Sequence, residues 1–190
     1  GLNNVRQINE KKNQVITLLK SPAWREGFGT DAEGSVVYFC TGLPGYFKFD
    51  PLQQWTPRRV TPSKVDPTED FNFTQKEEIK GTKYDNMLYT VNFLGDVIQI
   101  DPATDRMKVY AKKIAPDSYN FIAFDKRNPN LMYISMHHKH KIVVFDLITK
   151  TVKDFAGTGA AGHQDGEKDF AMFNGPCNIC IDEDNNIYVA

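Results

Sequence analysis

Internal repetition is the feature of this sequence that most constrains its fold. Four short apolar stretches end in an acid or an amide: Val5–Asn9, Tyr46–Asp50, Val97–Asp101 and Ile142–Asp146. The last residues of these stretches are 41, 51 and 45 positions apart in chain order. A mean spacing of about 46 residues is typical of arrays in which each repeat is one small sheet.

A second signature precedes the first in each repeat. A polar turn is followed by an apolar residue and a tyrosine, and these tyrosines are Tyr38, Tyr89, Tyr133 and Tyr188. They lie 51, 44 and 55 residues apart, so they track the first signature. Each unit therefore contains four strands joined by turns, with apolar and polar residues alternating along the strands. The sequence predicts an all-β fold, a β-propeller built from four-stranded antiparallel blades.

Composition excludes several other classes of protein. Of the 190 residues, 41% are hydrophobic and 12% are aromatic, which is enough for a packed core and untypical of a disordered chain. The formal net charge of −1 provides no basic field for nucleic acid. The longest apolar run, Val36–Cys40, falls far short of the roughly 18 residues that cross a bilayer. We therefore expect neither a nucleic-acid partner nor membrane insertion.

The three cysteines are too few for a disulfide scaffold. Cys177 and Cys180 form a C-x-x-C pattern, but Cys180 lies in the β-type stretch Ile179–Ile181. Residues three apart on a strand point to opposite faces. We expect both thiols to be free, with Cys180 between packed blades.

The last third of the chain carries the most specific pattern. In order, it holds a Gly-rich stretch, an F-x-x-P motif, a short strand ending in Asp and a final strand: Ala156–Gly166, Phe173–Pro176, Ile179–Asp182 and Asn186–Ala190. This segment resembles an NHL repeat, and Lys141–Asp146 is similar to the third strand of that repeat. The resemblance implies an NHL-type β-propeller with bacterial relatives that are secreted or attached to the cell surface, and so an extracytoplasmic location. It implies no single activity, because one fold hosts many functions.

The repeats divide residues 1–190, taken as a single propeller domain, into blades and half blades. The blades span about 23–60, 76–110 and 118–155, and the half blades span 4–19 and 176–190. Either the half blades close on each other in a four-bladed ring, or the chain is part of a longer ring, six-bladed as is common among NHL relatives. The repeat pattern would continue with Asp after Tyr188–Ala190, which favours a partial propeller.

Turns between the second and third strands, and the links between blades, emerge on one face of a propeller, where ligands bind in related folds. The turn at 136–141 holds three of the four histidines. Compared with the NHL consensus, Met136 and Lys139 stand where Asp and Asn are usual, which favours a turn that makes contacts. Imidazole gains charge toward pH of about 6, so we expect an acidic or hydroxyl-rich partner. The candidate ligand-binding residues are His137, His138, Lys139, His140, Tyr46 and Phe93.

A metal site is the alternative. Lactonase-like propellers hold a catalytic calcium with Glu, Asn and Asp side chains, and Glu26, Asn120 and Asn178 stand at the starts of innermost strands here. Hard oxygen ligands suit calcium. Glu and Asn at strand starts are also common as turn residues, so both interpretations stay open. In the 136–141 turn, no third ligand for zinc can be named.

Residues 51–73 are unusually rich in proline and aromatic residues for a link between blades. Such a segment is typical of a lid or a partner-contact arm, and equally of a packed surface insertion. The pattern alone does not separate these alternatives.

Taken together, the sequence favours a noncatalytic propeller scaffold that binds a protein, peptide or glycan through its loop-rich face, with no cofactor. The alternative is a metal-dependent propeller enzyme, either a lactonase-like hydrolase or a lyase, with calcium as its metal. No Walker loop, nucleophile elbow or H-E-x-x-H motif occurs in the sequence. The sequence leaves the oligomeric state open.

Overall fold

The computed structural model describes residues 3–21, 28–31, 34–39, 46–69 and 78–190. The described residues form β-strands joined by turns and three one-turn 3-10 helices, at Glu10–Lys12, Pro51–Gln53 and His137–Lys139. The strands are β1 (Asn3–Asn9), β2 (Gln14–Ser21), β3 (Phe28–Thr30), β4 (Val36–Phe39), β5 (Tyr46–Phe49), β6 (Pro57–Val60), β7 (Ser63–Lys64), β8 (Lys80–Gly81), β9 (Leu88–Val91), β10 (Val97–Asp101), β11 (Arg106–Ala111), β12 (Asn120–Phe124), β13 (Leu131–Met136), β14 (Lys141–Asp146), β15 (Thr151–Ala156), β16 (Ile179–Ile181) and β17 (Ile187–Val189).

The strands assemble into antiparallel meanders. The first blade is β3–β6, the second is β8–β11 and the third is β12–β15, while β1–β2 and β16–β17 are two-stranded hairpins. In each blade, strands that are neighbours in sequence are hydrogen-bonded neighbours in the sheet. The predicted all-β fold of four-stranded antiparallel sheets is confirmed.

The aspartates that end the third strands cap the turns that follow them. The carboxylate of Asp50 accepts a hydrogen bond from the backbone N–H of Leu52, and Asp101 accepts one from Ala103. Asp146 accepts from Ile148 in the same way. This bond to a backbone N–H two residues on is the reason why Asp recurs at these positions.

The apolar core lies between successive blades. Val37, Tyr46 and Val60 of the first blade pack against apolar residues of the second, which include Leu88, Ile98 and Ile100. A second cluster joins the second and third blades, and its fully buried members include Tyr89, Met132, Ile134 and Phe145. Complete burial of one such side chain contributes about 1.5–3 kcal/mol. Because a middle blade is covered on both faces, every residue of Val97–Ile100 is buried, Gln99 included.

Part of the proline-rich segment packs against the second blade. β7 pairs in parallel with β11 and adds a fifth strand to the outer edge of the sheet. The backbone N–H of Ser63 donates to Asp105 O at 2.9 Å, and that of Val65 donates to Met107 O at 2.8 Å. Residues 70–77, which include the end of the segment singled out in the sequence, lie outside the described residues.

The two described cysteines, Cys177 and Cys180, are free, which confirms the prediction for both thiols. Cys180 is exposed, so its expected place between packed blades is wrong. The physical reason is that β16 lines an open cavity, described below, and Cys180 faces into it.

Candidate ligand-binding face

The histidine-rich turn joins β13 to β14, between the second and third strands of the third blade. His137–Lys139 form one 3-10 turn, and His140 follows in the left-handed conformation with φ of 53°. The turn is anchored to the link between the second and third blades. The backbone N–H of His137 donates to Tyr119 O, and that of His138 donates to Ser118 Oγ, both at 3.0 Å.

Four rings from three segments meet at this turn, and we call them the aromatic cluster: Phe93, Tyr119, His137 and His138. The Tyr119 ring lies 4.8 Å from that of His138 and 5.4 Å from that of Phe93. The His138 ring lies 6.0 Å from Phe93 and 4.9 Å from His137. His138 is exposed and the other three rings are half-buried. The cluster therefore presents a partly open aromatic surface to solvent.

Two of the three histidines bind one glycine. Nδ1 of His137 lies 3.0 Å from Gly175 O, and Nδ1 of His140 accepts the Gly175 N–H at 3.0 Å. A carbonyl only accepts and an N–H only donates, so these bonds assign the proton to Nδ1 of His137 and to Nε2 of His140. Gly175 has φ of +67°, and an added Cβ would lie 2.8 Å from Cε1 of His137. Only glycine fits this contact without a shift of the ring.

The free nitrogens of these two rings face solvent. Neither Nε2 has a hydrogen-bond partner among the described residues, and neither is a buried atom. His137 therefore offers an acceptor and His140 a donor at their Nε2 atoms. Cys177 adds a thiol beside them, with Sγ 3.3 Å from Nδ1 of His137 and 3.5 Å from Gly175 O.

The charge beside the cluster is largely balanced. Lys139 lies 3.9 Å from the carboxylate of Asp117, and Lys141 lies 2.7 Å from that of Asp154. These are pairs with at least one well-exposed partner, so each contributes at most about 1 kcal/mol of stability. Their effect is to keep the turn from being a strongly basic patch.

Tyr46 lies elsewhere. Its side chain is 1% exposed and belongs to the core between the first and second blades. Burial raises the pKa of its hydroxyl far above the ordinary value, and that hydroxyl has no hydrogen-bond partner among the described residues. The structure therefore brings together the turn histidines and Phe93 from the sequence-derived set, and places Tyr46 in the interior.

Only two of the three residues suggested as calcium ligands, Asn120 and Asn178, are among the described residues. Asn120 is buried, and its two Nδ2 hydrogens are shared among the carbonyl oxygens of Asn92, Ala115 and Ser118, which lie 3.0, 3.0 and 3.1 Å from Nδ2. Its Oδ1 has no hydrogen-bond partner among the described residues. Asn178 is exposed, and Glu26 lies outside the described residues. Asn120 thus holds the link between blades in place. Within the described ranges, no group of three or more His, Cys, Asp or Glu side chains is placed to hold a metal ion.

A cavity of about 800 Å³ is the feature that sequence reasoning missed. Its wall includes innermost-strand residues of successive sheets, namely Gly29, Lys80, Ala123 and Cys180. Lys80 is largely buried and forms an ion pair with Glu78 at 3.0 Å. Its Nζ also donates to Ile122 O at 2.5 Å and to Ile179 O at 3.3 Å. One ammonium group thus joins β8, β12 and β16 across the molecule.

The helical content of the described chain is confined to the one-turn 3-10 segments, and none of these is long and apolar enough to span a membrane.

No family model matches the sequence. Over 63 residues the chain is 36% identical to Protein SUPPRESSOR OF QUENCHING 1, chloroplastic, of Arabidopsis thaliana, a match that covers 33% of this chain and 6% of that protein. Several solved structures match nearly the whole chain, and three of them illustrate the similarity. An auxiliary nutrient binding protein from Bacteroides ovatus has a TM-score of 0.73 at 15% identity, covering 98% of this chain and 47% of its own. Virginiamycin B lyase from Staphylococcus aureus has a TM-score of 0.63 at 12% identity, and the match covers 99% of this chain and 56% of the lyase chain. The extracellular domain of a hybrid two-component system from Bacteroides thetaiotaomicron has a TM-score of 0.56 at 16% identity, and the match covers 99% of this chain and 20% of that chain.

At these low identities the structural matches show the fold alone. The chain spans 47% of the Bacteroides ovatus protein and 56% of the lyase. Its blades therefore form part of a propeller, and the resemblance to NHL-type β-propellers is confirmed at the level of the fold.

Proposed function

We propose that this chain is a noncatalytic binding module that takes a hydroxyl-rich glycan on the aromatic cluster and the adjoining histidines. The observation that carries the proposal is the pairing of a partly exposed aromatic surface with imidazoles held in fixed, opposite protonation patterns. Each half of this arrangement suits a different part of a sugar.

The aromatic surface suits the apolar face of a sugar ring. Aromatic side chains contribute large contact area at low entropic cost and are frequent anchors at binding surfaces. Tyr119, Phe93 and His138 come from separate segments, and the Phe93 ring packs edge to face on the other two, so the rings are held in place before a ligand arrives. Such preorganisation lowers the entropy lost on binding.

The histidines suit the hydroxyl groups. Gly175 fixes His137 with a free acceptor and His140 with a free donor. A sugar hydroxyl both donates and accepts, so neighbouring hydroxyls match this pair, whereas a carboxylate only accepts. With Lys139 near Asp117, we favour a neutral glycan over an acidic ligand, a protein or a peptide.

Two structural neighbours are consistent with a binding role outside the cytoplasm. One is described as a nutrient binding protein and another is an extracellular domain. We extend this location to the present chain as part of the proposal.

Calorimetric titration of the full chain tests the proposal. The probes are hexasaccharides of glucose, mannose and xylose, hexagalacturonate as the acidic glycan, and a pool of random decapeptides. We expect saturable binding of a neutral hexasaccharide, and a loss of about tenfold or more in Tyr119→Ala and His138→Ala. The matched control is Tyr84→Ala, because Tyr84 is 42% exposed and lies outside the aromatic cluster.

Binding of hexagalacturonate alone would contradict a neutral glycan and favour an acidic one. Binding of peptides alone would contradict a glycan ligand. Binding of none of the probes would contradict the proposed function. Turnover of a bound probe that depends on added calcium would instead support the metal-dependent enzyme.

A further inference from the structure

The outer edges of the second and third blades have the same backbone pattern. In the second blade Val97 pairs with Ala111 and Ile98 with Val109, so a bulge shifts the register between them. In the third blade Ile142 pairs with Ala156 and Val143 with Asp154, with the bulge at the same place. The turn residues Asp105 and Lys150, with φ of 53° and 55°, also correspond. Each position on β11 therefore has an equivalent on β15, 45 residues later.

In the second blade this edge is occupied by the chain itself. The carbonyls of Asp105 and Met107 accept the N–H groups of Ser63 and Val65 from β7. Further along, the carboxylate of Glu69 accepts the N–H of Val109 at 3.2 Å. An extended segment followed by a carboxylate thus satisfies three outward backbone groups of β11.

In the third blade the same edge is open. The groups equivalent to those three are the carbonyls of Lys150 and Val152 and the N–H of Asp154, and no segment is paired with this edge among the described residues. The side chains differ accordingly, because Met107 and Val109 are half-buried whereas Val152 and Asp154 are exposed. Unpaired edge groups of this kind are a template for strand addition.

The surroundings of β15 indicate which segment fits. A groove of about 290 Å³ lies beside the strand, with an apolar lining that includes Met136, Val143 and Val152. Lys139, Lys141, Lys153 and Asp154 also line it. Lys141 pairs with Asp154 and Lys139 with Asp117, so Lys153 is the lining cation without an ion pair among the described residues. A lysine on an edge disfavours pairing with a basic strand and favours an acidic one.

We propose that β15 is a strand-addition site for an extended, acidic peptide segment of a partner protein, which pairs in parallel as β7 does on β11. The backbone bonds run to Lys150, Val152 and Asp154, and an apolar side chain of the peptide enters the groove. None of the four rings of the aromatic cluster lines this groove, although Met136 and Lys139 of the same turn do, and the proposal does not depend on the glycan proposal.

The segment that already occupies the equivalent edge supplies the probe. A synthetic peptide of residues 61–69, blocked at both ends, is titrated into the ¹⁵N-labelled full chain and followed by NMR. We expect saturable shifts of the amide signals of residues 150–154. Methylation of the peptide nitrogens at the positions of Ser63 and Val65 removes both donors and should weaken binding by about tenfold or more.

The matched control is the peptide methylated at the position of Lys64. Successive residues of a strand point their N–H groups to opposite sides, so this methyl group faces away from β15 and binding should be retained. The Glu69→Gln peptide should bind about threefold or more weakly, because it loses the negative charge that Lys153 favours.

Three results would overturn the proposal. One is the lack of saturable shifts at residues 150–154 with the unmodified peptide. Another is an equal loss of binding with either pattern of methylation. The third is a set of shifts confined to residues 105–109, which would mean that the peptide only exchanges with the chain's own β7.

Discussion

At the scale of single residues, the repeated tyrosines and aspartates are hydrogen-bonded pairs. Tyr133 donates its hydroxyl to Asp125 at 3.1 Å, and Tyr188 donates to Asp182 at 3.0 Å. In each pair the aspartate begins a turn and the tyrosine lies on the strand after it. In these hairpins the second sequence signature therefore corresponds to a side-chain bond that fixes the turn, which explains why their tyrosines could be aligned from sequence.

The contact of Gly175 with the histidines gives the first residue-scale prediction. We expect Gly175→Ala to lower the free energy of unfolding by about 2 kcal/mol, since alanine at positive φ costs about 1–2 kcal/mol and the new Cβ must also displace the His137 ring. Equilibrium urea unfolding measures this. The matched control is Gly159→Ala in the same loop, where φ is +82° but the nearest atom to an added Cβ is 3.6 Å away. An equal effect in both variants would mean that the imidazole contact is not involved.

At the scale of strands and turns, much of the architecture could be predicted. The alternation of apolar residues and the recurrence of Asp after each third strand identified hairpins such as β9–β10 and β13–β14. The pairing of β7 with β11 could not be predicted, because two residues carry no periodic pattern. The ring of Tyr119 was missed for a related reason, since its contacts come from segments distant in sequence.

The candidate site shows the same limit. The histidine turn could be proposed from sequence because three imidazoles in six residues are conspicuous, and Phe93 could be proposed because it lies in an equivalent turn. The engagement of His137 and His140 with Gly175 depends on a loop that returns 35 residues later, so composition alone does not reveal it. Tyr46 was misplaced because its position at the start of β5 resembles a turn position in sequence, whereas its ring points into the core.

The turn that begins at Asp125 gives a prediction about pH. Burial raises the pKa of Asp125, but hydrogen bonds from the Asn185 side chain, the backbone after Asp125 and the Tyr133 hydroxyl outweigh it and hold the pKa below its ordinary value of 3.8. The folded state therefore binds this proton less tightly than the unfolded chain. The stabilisation is present above the unfolded pKa and is lost as the pH falls through the folded pKa.

We expect Asp125→Asn to lower the free energy of unfolding at pH 7 by about 1–2 kcal/mol, and the gap from the wild type to narrow toward pH of about 3. Urea unfolding at several pH values measures both. Asp165→Asn is the control, because Asp165 is exposed and forms no hydrogen bond or ion pair with any residue that the structure describes. A gap that stays constant over this pH range would show that the carboxylate charge is not what stabilises the turn.

At the scale of the whole molecule, the sheets are held together in two ways. Apolar clusters fill the space between neighbouring blades, while polar groups tie the innermost strands around the cavity. The main polar contacts are those of Lys80 and Glu78, whose side chains form hydrogen bonds with the backbone of β12 and β16. Because these bonds cross from one sheet to others, they couple neighbouring blades, as the bond from the Tyr110 hydroxyl to Leu147 O does farther out.

This coupling gives the prediction at the largest scale. Lys80→Met should lower the free energy of unfolding by about 3 kcal/mol, because it leaves the 6%-exposed Glu78 side chain without its cation. In Glu78→Gln/Lys80→Met the buried charge is gone, and the glutamine oxygen can still accept the Ile122 N–H that Glu78 accepts. We therefore expect the double variant to recover about half of the loss, as a double-mutant cycle by urea unfolding would measure. Hydrogen exchange should quicken in β12 and β16 as well as in β8 in the single variant. Faster exchange in β8 alone would mean that Lys80 stabilises its own blade and does not tie the blades together.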